Sequence, residues 1–170
     1  MEFILSAWKD SDLEHFVLIA NNYKIAKNLA NTFPFPYTIY ASQQFIDMTK
    51  RHSPLHIKAI DIEGTAVGGI GIHAQSDIMC KNAEIGFWLD ENLWERGIMT
   101  KALKQMVNYG FEQFDINRIY GRVYHNNLGS QSVLKKAGFQ LEGQFEKTIY
   151  KFDEYLEELI YAKRKIIIVQ

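Results

Sequence analysis

The sequence is poor in cysteine, in net charge and in long apolar runs. Its single cysteine, Cys80, cannot form an internal disulfide bond, which fits a reducing compartment. The formal net charge of -1 argues against a general nucleic-acid or membrane-surface protein. The sequence has no run of about 18 apolar residues, and its first ten residues lack the basic and apolar regions of a signal peptide. We therefore predict a cytoplasmic protein that binds neither nucleic acid nor a membrane.

Two nucleotide-binding motifs and a zinc motif are also missing. Three glycines within residues 68–71 resemble a dinucleotide fingerprint, but no helix is predicted after them and Ala74 stands at the third glycine position. Bulges or close packing explain these glycines better. The pattern G-x-x-x-x-G-K-[ST] does not occur. His52 and His56 are separated by Pro54 and have no acidic or cysteine partner in pattern, so we predict no metal site.

What is present indicates one globular domain, residues 1–170, with 47% hydrophobic and 14% aromatic residues. Periodicity and turn residues predict strands at 3–8, 55–62, 65–73, 81–89, 117–124, from 139 onward and at 155–163. Helices are predicted at 11–20, 23–30, 38–51, 98–114 and 130–137. This order fits a central mixed sheet with helices on both faces.

Local signals support several of these elements. Ser11 to Glu14 fits a capping box at the start of the first helix. Glu63-Gly64 predicts a two-residue hairpin turn, and Gly138 predicts a left-handed helix end. Segment 155–163 is rich in Glu and Leu and could be helical by composition, but its neighbours favour a strand.

An aromatic loop, Phe33-Pro34-Phe35-Pro36-Tyr37, cannot form a regular helix because each proline pushes the preceding residue into an extended conformation. Two interpretations stay open. The loop either fills the core or forms a wall of a substrate pocket.

A strand followed by Arg96-Gly97-Ile98-Met99-Thr100 and a long helix predicts a phosphate site. The first N–H groups of a helix have no partner within it, and the helix dipole adds positive charge there. Gly97 has no Cβ and would let a ligand approach the backbone closely. We expect this turn to bind a pyrophosphate.

The C-terminal half carries motifs, between residues 84 and 143, that together resemble the GNAT acetyltransferases, within them the RimJ/RimL-like group. The motifs are E-I-G-F-W-L at 84–89, R-G-I-M-T-K-A at 96–102, N-R-I at 117–119, N-L-G-S at 127–130, G-F at 138–139 and E-G at 142–143. The resemblance implies an α+β fold with a mixed, mostly antiparallel sheet and helices on both faces. It also implies transfer of acetyl from acetyl-CoA to a primary amine.

Four positions depart from the family pattern. Trp94 replaces a Gln or Arg, and Met99 replaces a Gly or Ala. Glu95 stands where a glycine is usual and would weaken phosphate binding slightly unless it points outward. Leu134 occupies the position of a tyrosine that, in many relatives, protonates the leaving thiolate.

The resemblance also implies site residues. Pantetheine would lie along Phe87, Trp88 and Leu89 and pair with their backbone like an added strand. The pyrophosphate would contact Arg96, Gly97, Ile98, Met99 and Thr100. Asn127 would contact CoA, unless it is only a turn or cap residue.

Two residues are candidates for proton transfer. Glu84 is the candidate base, acting directly or through water, because apolar neighbours would raise its pKa; the alternative is a structural glutamate. Ser130 is either the acid, a CoA partner or a helix N-cap. Tyr124 and Tyr150 are reserve acids, the alternative being core or surface tyrosines. Lys135-Lys136 is either a solvated face or a contact for the adenosine 3′-phosphate.

Three function classes remain open at this point. The first is an N-acetyltransferase acting on a protein N-terminus, such as that of a ribosomal protein, or on a small amine. The second is a GNAT-like module that binds acyl-CoA without turnover. An unrelated nucleotide-phosphate enzyme is a third, weaker alternative. We expect the substrate walls to come from the N-terminal helices, the aromatic loop and the C-terminal strands, and the apolar tail 166–169 to form a strand or a subunit contact in a homodimer.

Overall fold

The structure is a computed structural model that describes residues 1–166. Within that range the strands are β1 (Ile4–Ser6), β2 (Ile57–Ile62), β3 (Thr65–Ala74), β4 (Asn82–Leu89), β5 (Arg118–Tyr124), β6 (Gln140–Lys151) and β7 (Glu154–Arg164). The α-helices are α1 (Leu13–Ala20), α2 (Tyr23–Ala26), α3 (Ile39–Thr49), α4 (Ile98–Gln113) and α5 (Leu128–Lys136). Apart from Ile166, the predicted tail strand lies outside the described residues.

The seven strands form one sheet in the order β1-β2-β3-β4-β5-β7-β6. The pairs β1–β2, β2–β3, β5–β7 and β6–β7 are antiparallel, and β4–β5 is parallel. The predicted mixed, mostly antiparallel sheet is therefore confirmed. Segment 155–163 is a strand, as predicted, because β7 has a hydrogen-bonded neighbour on each side that composition alone does not reveal.

The chain divides into two compact units. The first contains residues 1–71 and 87–102, and the second contains residues 72–86 and 103–166. Within residues 1–166, no helix has both the length and the apolar character that crossing a membrane requires.

An aromatic cluster forms the core of the first unit. The ring centroid of Phe16 lies 5.2 Å from that of Trp88 and 5.0 Å from that of Tyr37. Phe33 also packs on this cluster, whereas Phe35 is 44% exposed. For Phe33 and Tyr37, the core-filling interpretation of the aromatic loop is therefore correct.

Close packing explains the glycines of β3. A Cβ on Gly69 would lie 2.8 Å from Trp88 Nε1, and a Cβ on Gly68 would lie 2.5 Å from the Trp88 carbonyl oxygen. Both distances are shorter than real Cβ contacts, so only glycine fits beside the tryptophan. The two-residue hairpin turn is also confirmed, with φ of 52° at Glu63 and 87° at Gly64.

The predicted start of the first helix is wrong. The Ser11 capping box does not form; instead the Lys9 N–H donates to Asp12 Oδ2 at 2.8 Å, and a short 3-10 turn precedes α1. Asp12 can accept this bond because the turn places its side chain back over the preceding backbone. The second helix is also shorter than predicted and ends at Ala26. The third begins after Thr38, whose hydroxyl accepts from the Ala41 N–H.

In the second unit, two helices pack on the sheet through glycine contacts. Gly110 brings α4 against Ile72 of β3 and Ile119 of β5. Gly121 of β5 receives the side chain of Leu134 from α5. Gly138 follows α5 with φ of 87°, which confirms the predicted left-handed end.

Candidate functional site

The segment after β4 is held by hydrogen bonds within the first unit. The Asp90 N–H donates to the Val67 carbonyl at 2.9 Å, and the Asp90 side chain accepts from the Asn92 N–H at 3.0 Å. The Trp94 indole N–H then donates to the Leu89 carbonyl at 2.8 Å. Trp94, which departs from the family pattern, therefore ties the segment back to the end of β4.

Two residues of the predicted phosphate loop have left-handed backbone conformations, with φ of 61° at Glu95 and 74° at Gly97. Such conformations favour glycine, so the backbone at Glu95 adopts a conformation that is less favourable for a residue with a side chain. A Cβ on Gly97 would meet no atom within 4 Å, so the space beside its backbone is open. A ligand could therefore approach the backbone here, as the sequence predicted.

The N-terminus of α4 follows this loop. Ile98 and Met99 are buried, with 2% and 7% of their surface exposed, whereas Arg96 is exposed and Thr100 is half-buried. The side chains of Ile98 and Met99 therefore belong to the core, and their contribution to ligand binding is limited to backbone N–H groups. Met99 is accommodated because its side chain points inward.

Strand β4 provides a second set of predicted residues. Trp88 lies in the aromatic core, Leu89 is 5% exposed and Phe87 is half-buried. Because the Leu89 carbonyl already accepts from Trp94, it has one acceptor position fewer for the predicted pairing with pantetheine. The backbone groups of Phe87 and Trp88 remain candidates.

Pairing between β4 and β5 is short. It joins Asn82–Glu84 with Arg118–Tyr120, and within the described residues it goes no further, although β5 continues to Tyr124. Glu84 is therefore the last residue of β4 that pairs with β5.

Charged and phenolic groups surround Glu84 in the second unit. Tyr120 is the direct pairing partner of Glu84, Arg122 follows two residues later on the same face of β5, and Arg122 forms an ion pair with Glu158. Burial raises the pKa of Glu84, Glu158 acts in the same direction, and Arg122 and Tyr120 oppose it. The net effect is a pKa above that of an ordinary glutamate, as the sequence predicted.

Asn127 and Ser130 form the N-terminal cap of α5. Asn127 Oδ1 accepts from the Ser130 N–H at 3.1 Å, and Asn127 Nδ2 donates to Ser130 Oγ at 3.0 Å. Asn127, not Ser130, is thus the N-cap. The buried Gln131 side chain fixes the preceding turn by donating to the His125 carbonyl at 2.8 Å. The capping interpretation of Asn127 is confirmed, and a contact with CoA stays a prediction.

The candidate acids differ in their surroundings. Leu134 is 1% exposed and packs on Gly121, so the usual tyrosine position is part of the core. Burial raises the pKa of the Tyr124 hydroxyl. Tyr150 is 58% exposed and donates to Asp153 Oδ1 at 3.1 Å. The Lys135 ammonium lies 5.7 Å from the centre of the Tyr161 ring.

A cleft of about 590 Å³ lies within the first unit. It is lined by residues of α1, α2 and the turn after β4, namely His15, Leu18, Ile19, Asn21, Asn22, Tyr23, Asp90 and Asn92. The N-terminal helices were predicted to form substrate walls, whereas Asp90 and Asn92 were not.

The rings of His52 and His56 lie 4.1 Å apart, and within residues 1–166 no three His, Cys, Asp or Glu side chains are grouped as a metal site requires.

Sequence reasoning missed Tyr120, Arg122 and Glu158. The alternation R-x-Y-x-R-x-Y at 118–124 was a usable signal, because alternate residues of a strand share a face. Glu158 had no local signal, since only the β5–β7 register brings it near Arg122.

Comparison with known proteins gives matches in families, sequences and structures. The probable N-acetyltransferase YjcK of Bacillus subtilis is 42% identical over 69 residues, which are 41% of this chain and 38% of that protein. The ribosomal-protein-serine acetyltransferase of Escherichia coli is 31% identical over 83 residues, which are 49% of this chain and 46% of that protein. The chain thus spans less than half the length of these two relatives.

A solved structure named RimL, ribosomal L7/L12 alpha-N-protein acetyltransferase in complex with coenzyme A, has a TM-score of 0.81 and 23% identity. The match covers 96% of this chain and 98% of that chain, and it confirms the predicted fold. These names agree with the RimJ/RimL-like resemblance. The family model described as acetyltransferase (GNAT) domain matches residues 2–140. Because this match covers most of the 170 residues, the chain belongs to the GNAT acetyltransferase family.

Proposed function

We propose that the protein transfers acetyl from acetyl-CoA to a primary amine, with Glu84 as the base. The observation that carries the proposal is the position of Glu84, at the last paired position of β4 with a raised pKa. A carboxylate with a raised pKa is a better proton acceptor near neutral pH than an ordinary one. The names of the family and of the relatives support the reaction class.

In this reaction, Glu84 accepts a proton from the ammonium group, directly or through water. The amine nitrogen then attacks the thioester carbonyl, the C–S bond breaks, and the thiolate leaves and takes up a proton. A positioned acid would assist that last step. Ser130 and Tyr124 are the candidates, since Leu134 cannot serve.

Binding of acetyl-CoA would use backbone groups more than side chains. The N–H groups of residues 97–100 would contact the pyrophosphate, helped by the dipole of α4 and the open space beside Gly97. The backbone of Phe87 and Trp88 would pair with the amides of pantetheine. Asn127 would contact CoA through the part of its amide that capping leaves accessible.

The acceptor class follows from the relatives only as a proposal. A protein N-terminus, such as that of a ribosomal protein, is the first candidate because one relative is named a ribosomal-protein-serine acetyltransferase. A small amine is the second. A cytoplasmic location and a homodimer remain part of the same proposal.

The test measures release of free thiol from acetyl-CoA with a panel of N-terminal peptides and small amines. Glu84→Gln should lower turnover about 10²- to 10⁴-fold, because it removes the base. Affinity for CoA, measured by calorimetry, should stay nearly unchanged. Glu112→Gln, on the exposed surface of α4, is the matched control. Unchanged turnover in Glu84→Gln would remove Glu84 from the mechanism.

The second candidate function is a module that binds acyl-CoA without turnover. The burial of Leu134 at the position of the usual tyrosine favours it. CoA binding without thiol release for any amine would support this alternative, and absence of CoA binding would refute both candidates.

A further inference from the structure

One face of β5 is polar along its whole length. Arg118, Tyr120, Arg122 and Tyr124 alternate with Ile119, Gly121 and Val123, so the two groups lie on opposite faces of the strand. The second group includes Gly121, which contacts α5. The polar group shares its face with Glu84 of β4 and Glu158 of β7, because directly paired residues lie on the same face.

Tyr120 is held in place next to Glu84. It is the direct partner of Glu84 in the parallel register, so the two side chains are neighbours on one face of the sheet. The Arg118 guanidinium carbon lies 4.7 Å from the centre of the Tyr120 ring. Arg118 is itself fixed by hydrogen bonds to Asn82 Oδ1 at 2.9 Å and to Glu142 Oε2 at 2.6 Å. The Arg118 guanidinium therefore supports the phenol ring beside Glu84.

Arg122 lies between two carboxylates. Glu84 of β4 pairs with Tyr120, and Glu158 of β7 pairs with Tyr124. Arg122 therefore lies on β5 two residues from each of these paired tyrosines. Its Nε donates to Glu158 Oε1, and these two groups form an ion pair. Glu158 is 7% exposed. Its ion pair with Arg122 is therefore shielded from solvent and salt better than a pair between Arg122 and Glu84 would be.

We propose that Tyr120, Arg122 and Glu158 are positioning residues for Glu84. Tyr120 orients the carboxylate, and Glu158 retains the Arg122 guanidinium so that it does not form an ion pair with Glu84. This inference rests on the proposed function, since it explains how Glu84 stays available as a base. A carboxylate bound tightly to a guanidinium would be a weaker proton acceptor.

The titratable groups around Glu84 come from three strands. β5 contributes Tyr120 and Arg122, and β7 contributes Glu158. On the other side, the Gln75 N–H donates to the Asn82 carbonyl, which places His73 of β3 opposite Glu84 in an antiparallel register. Variants must therefore be compared in a His73→Gln background as well, so that titration of the imidazole is not mistaken for an effect of Arg122.

The direct test is an NMR titration of protein carrying ¹³C-labelled glutamate carboxyls. The Glu84 signal is identified by its loss in Glu84→Gln. Tyr120→Phe and Arg122→Gln should raise the pKa of Glu84, because each removes a group that stabilises the carboxylate. Glu158→Gln should lower it, because it removes a negative charge and releases the guanidinium. Charge alone also produces shifts of opposite sign for Arg122→Gln and Glu158→Gln, so the turnover test below distinguishes positioning from charge. Unmoved values or shifts of one sign in all three variants would overturn the proposal.

Activity provides an independent readout. Turnover in Glu158→Gln should fall at least about tenfold while KM for acetyl-CoA changes little, because the captured carboxylate is a weaker base. The double variant Arg122→Gln/Glu158→Gln should recover turnover, since no guanidinium remains to capture Glu84. A double variant as slow as Glu158→Gln would overturn the proposal. If Glu158→Gln fails to fold, Tyr120→Phe and the double variant carry the same titration test.

Different results would refute this inference and the proposed function. Acetyl transfer by the unaltered protein with an unmoved Glu84 pKa in the variants would refute this inference alone. The expected pKa pattern without acetyl transfer for any amine would refute the proposed function, and with it the catalytic role of the arrangement.

Discussion

Replacement of Gly110 by alanine tests how tightly α4 packs on the sheet. A Cβ at this position would lie 2.4 Å from Ile72 Cδ1 and 3.1 Å from Ile119 Cδ1, and both isoleucines are buried. Overpacking of this kind costs about 1–3 kcal/mol. Alanine instead of glycine within a helix stabilises by about 1 kcal/mol. Gly110→Ala should therefore lower the free energy of unfolding by up to about 2 kcal/mol.

A second substitution isolates the steric part. Ile72→Val removes the Cδ1 atom that the new methyl group would meet, and alone it should cost about 1 kcal/mol. In the double variant the alanine methyl occupies part of the vacated space. The double variant should thus be more stable than the sum of the single effects predicts, with a coupling energy of about 1–2 kcal/mol.

The measurement is the free energy of unfolding in denaturant for the unaltered protein, the two single variants and the double variant. The values are compared if the four m-values agree. Gly129→Ala in α5 is the control, because a Cβ there meets its nearest atom, Asn127 Oδ1, at 3.8 Å and so fits without strain. Additivity of Gly110→Ala and Ile72→Val within about 0.5 kcal/mol would refute the packing argument. The packing argument would also be refuted if Gly110→Ala raised the free energy of unfolding by as much as helix propensity alone predicts.

Three further substitutions address the first unit. Ser42→Ala should raise the free energy of unfolding by about 1 kcal/mol, because the buried Ser42 hydroxyl has no hydrogen-bond partner within the described residues; a lower melting temperature would contradict this. Glu95→Gln should tighten acetyl-CoA binding about two- to fivefold at low salt by removing a charge near the α4 N-terminus, and calorimetry at high salt should show a smaller gain. Trp94→Phe should lower the free energy of unfolding by about 1 kcal/mol through loss of the bond to the Leu89 carbonyl, and unchanged stability and unchanged acetyl-CoA affinity would show that this bond is unimportant.

Much of the fold was predictable because its signals are local. The turn at Glu63-Gly64, the left-handed residue Gly138 and the helix after Gly97 each depend on a few neighbouring residues. The start of α1 was not predictable from its capping pattern, because Lys9 and Asp12 satisfy the backbone through a 3-10 turn that competes with the Ser11 cap.

The candidate site was predictable in part. Glu84 and the loop around Gly97 were identified from motifs, and the structure adds that Met99 points into the core while Asn127 caps α5. The inward direction of Met99 follows from its place on the buried face of α4. This direction is not evident from the loop pattern, in which Met99 merely replaces a smaller residue.

The sequence by itself determined the order of the elements, the strand-loop-helix segment and the identity of the glutamate on β4, because these depend on local periodicity and on short motifs. Only the tertiary structure decided what surrounds that glutamate. Tyr120, Arg122 and Glu158 share one face of the sheet with Glu84 because strand register selects which side chains of distant segments lie together. A shift of one residue in either pairing would turn these side chains to the opposite face, and that register depends on packing across the sheet, which no short stretch of sequence encodes.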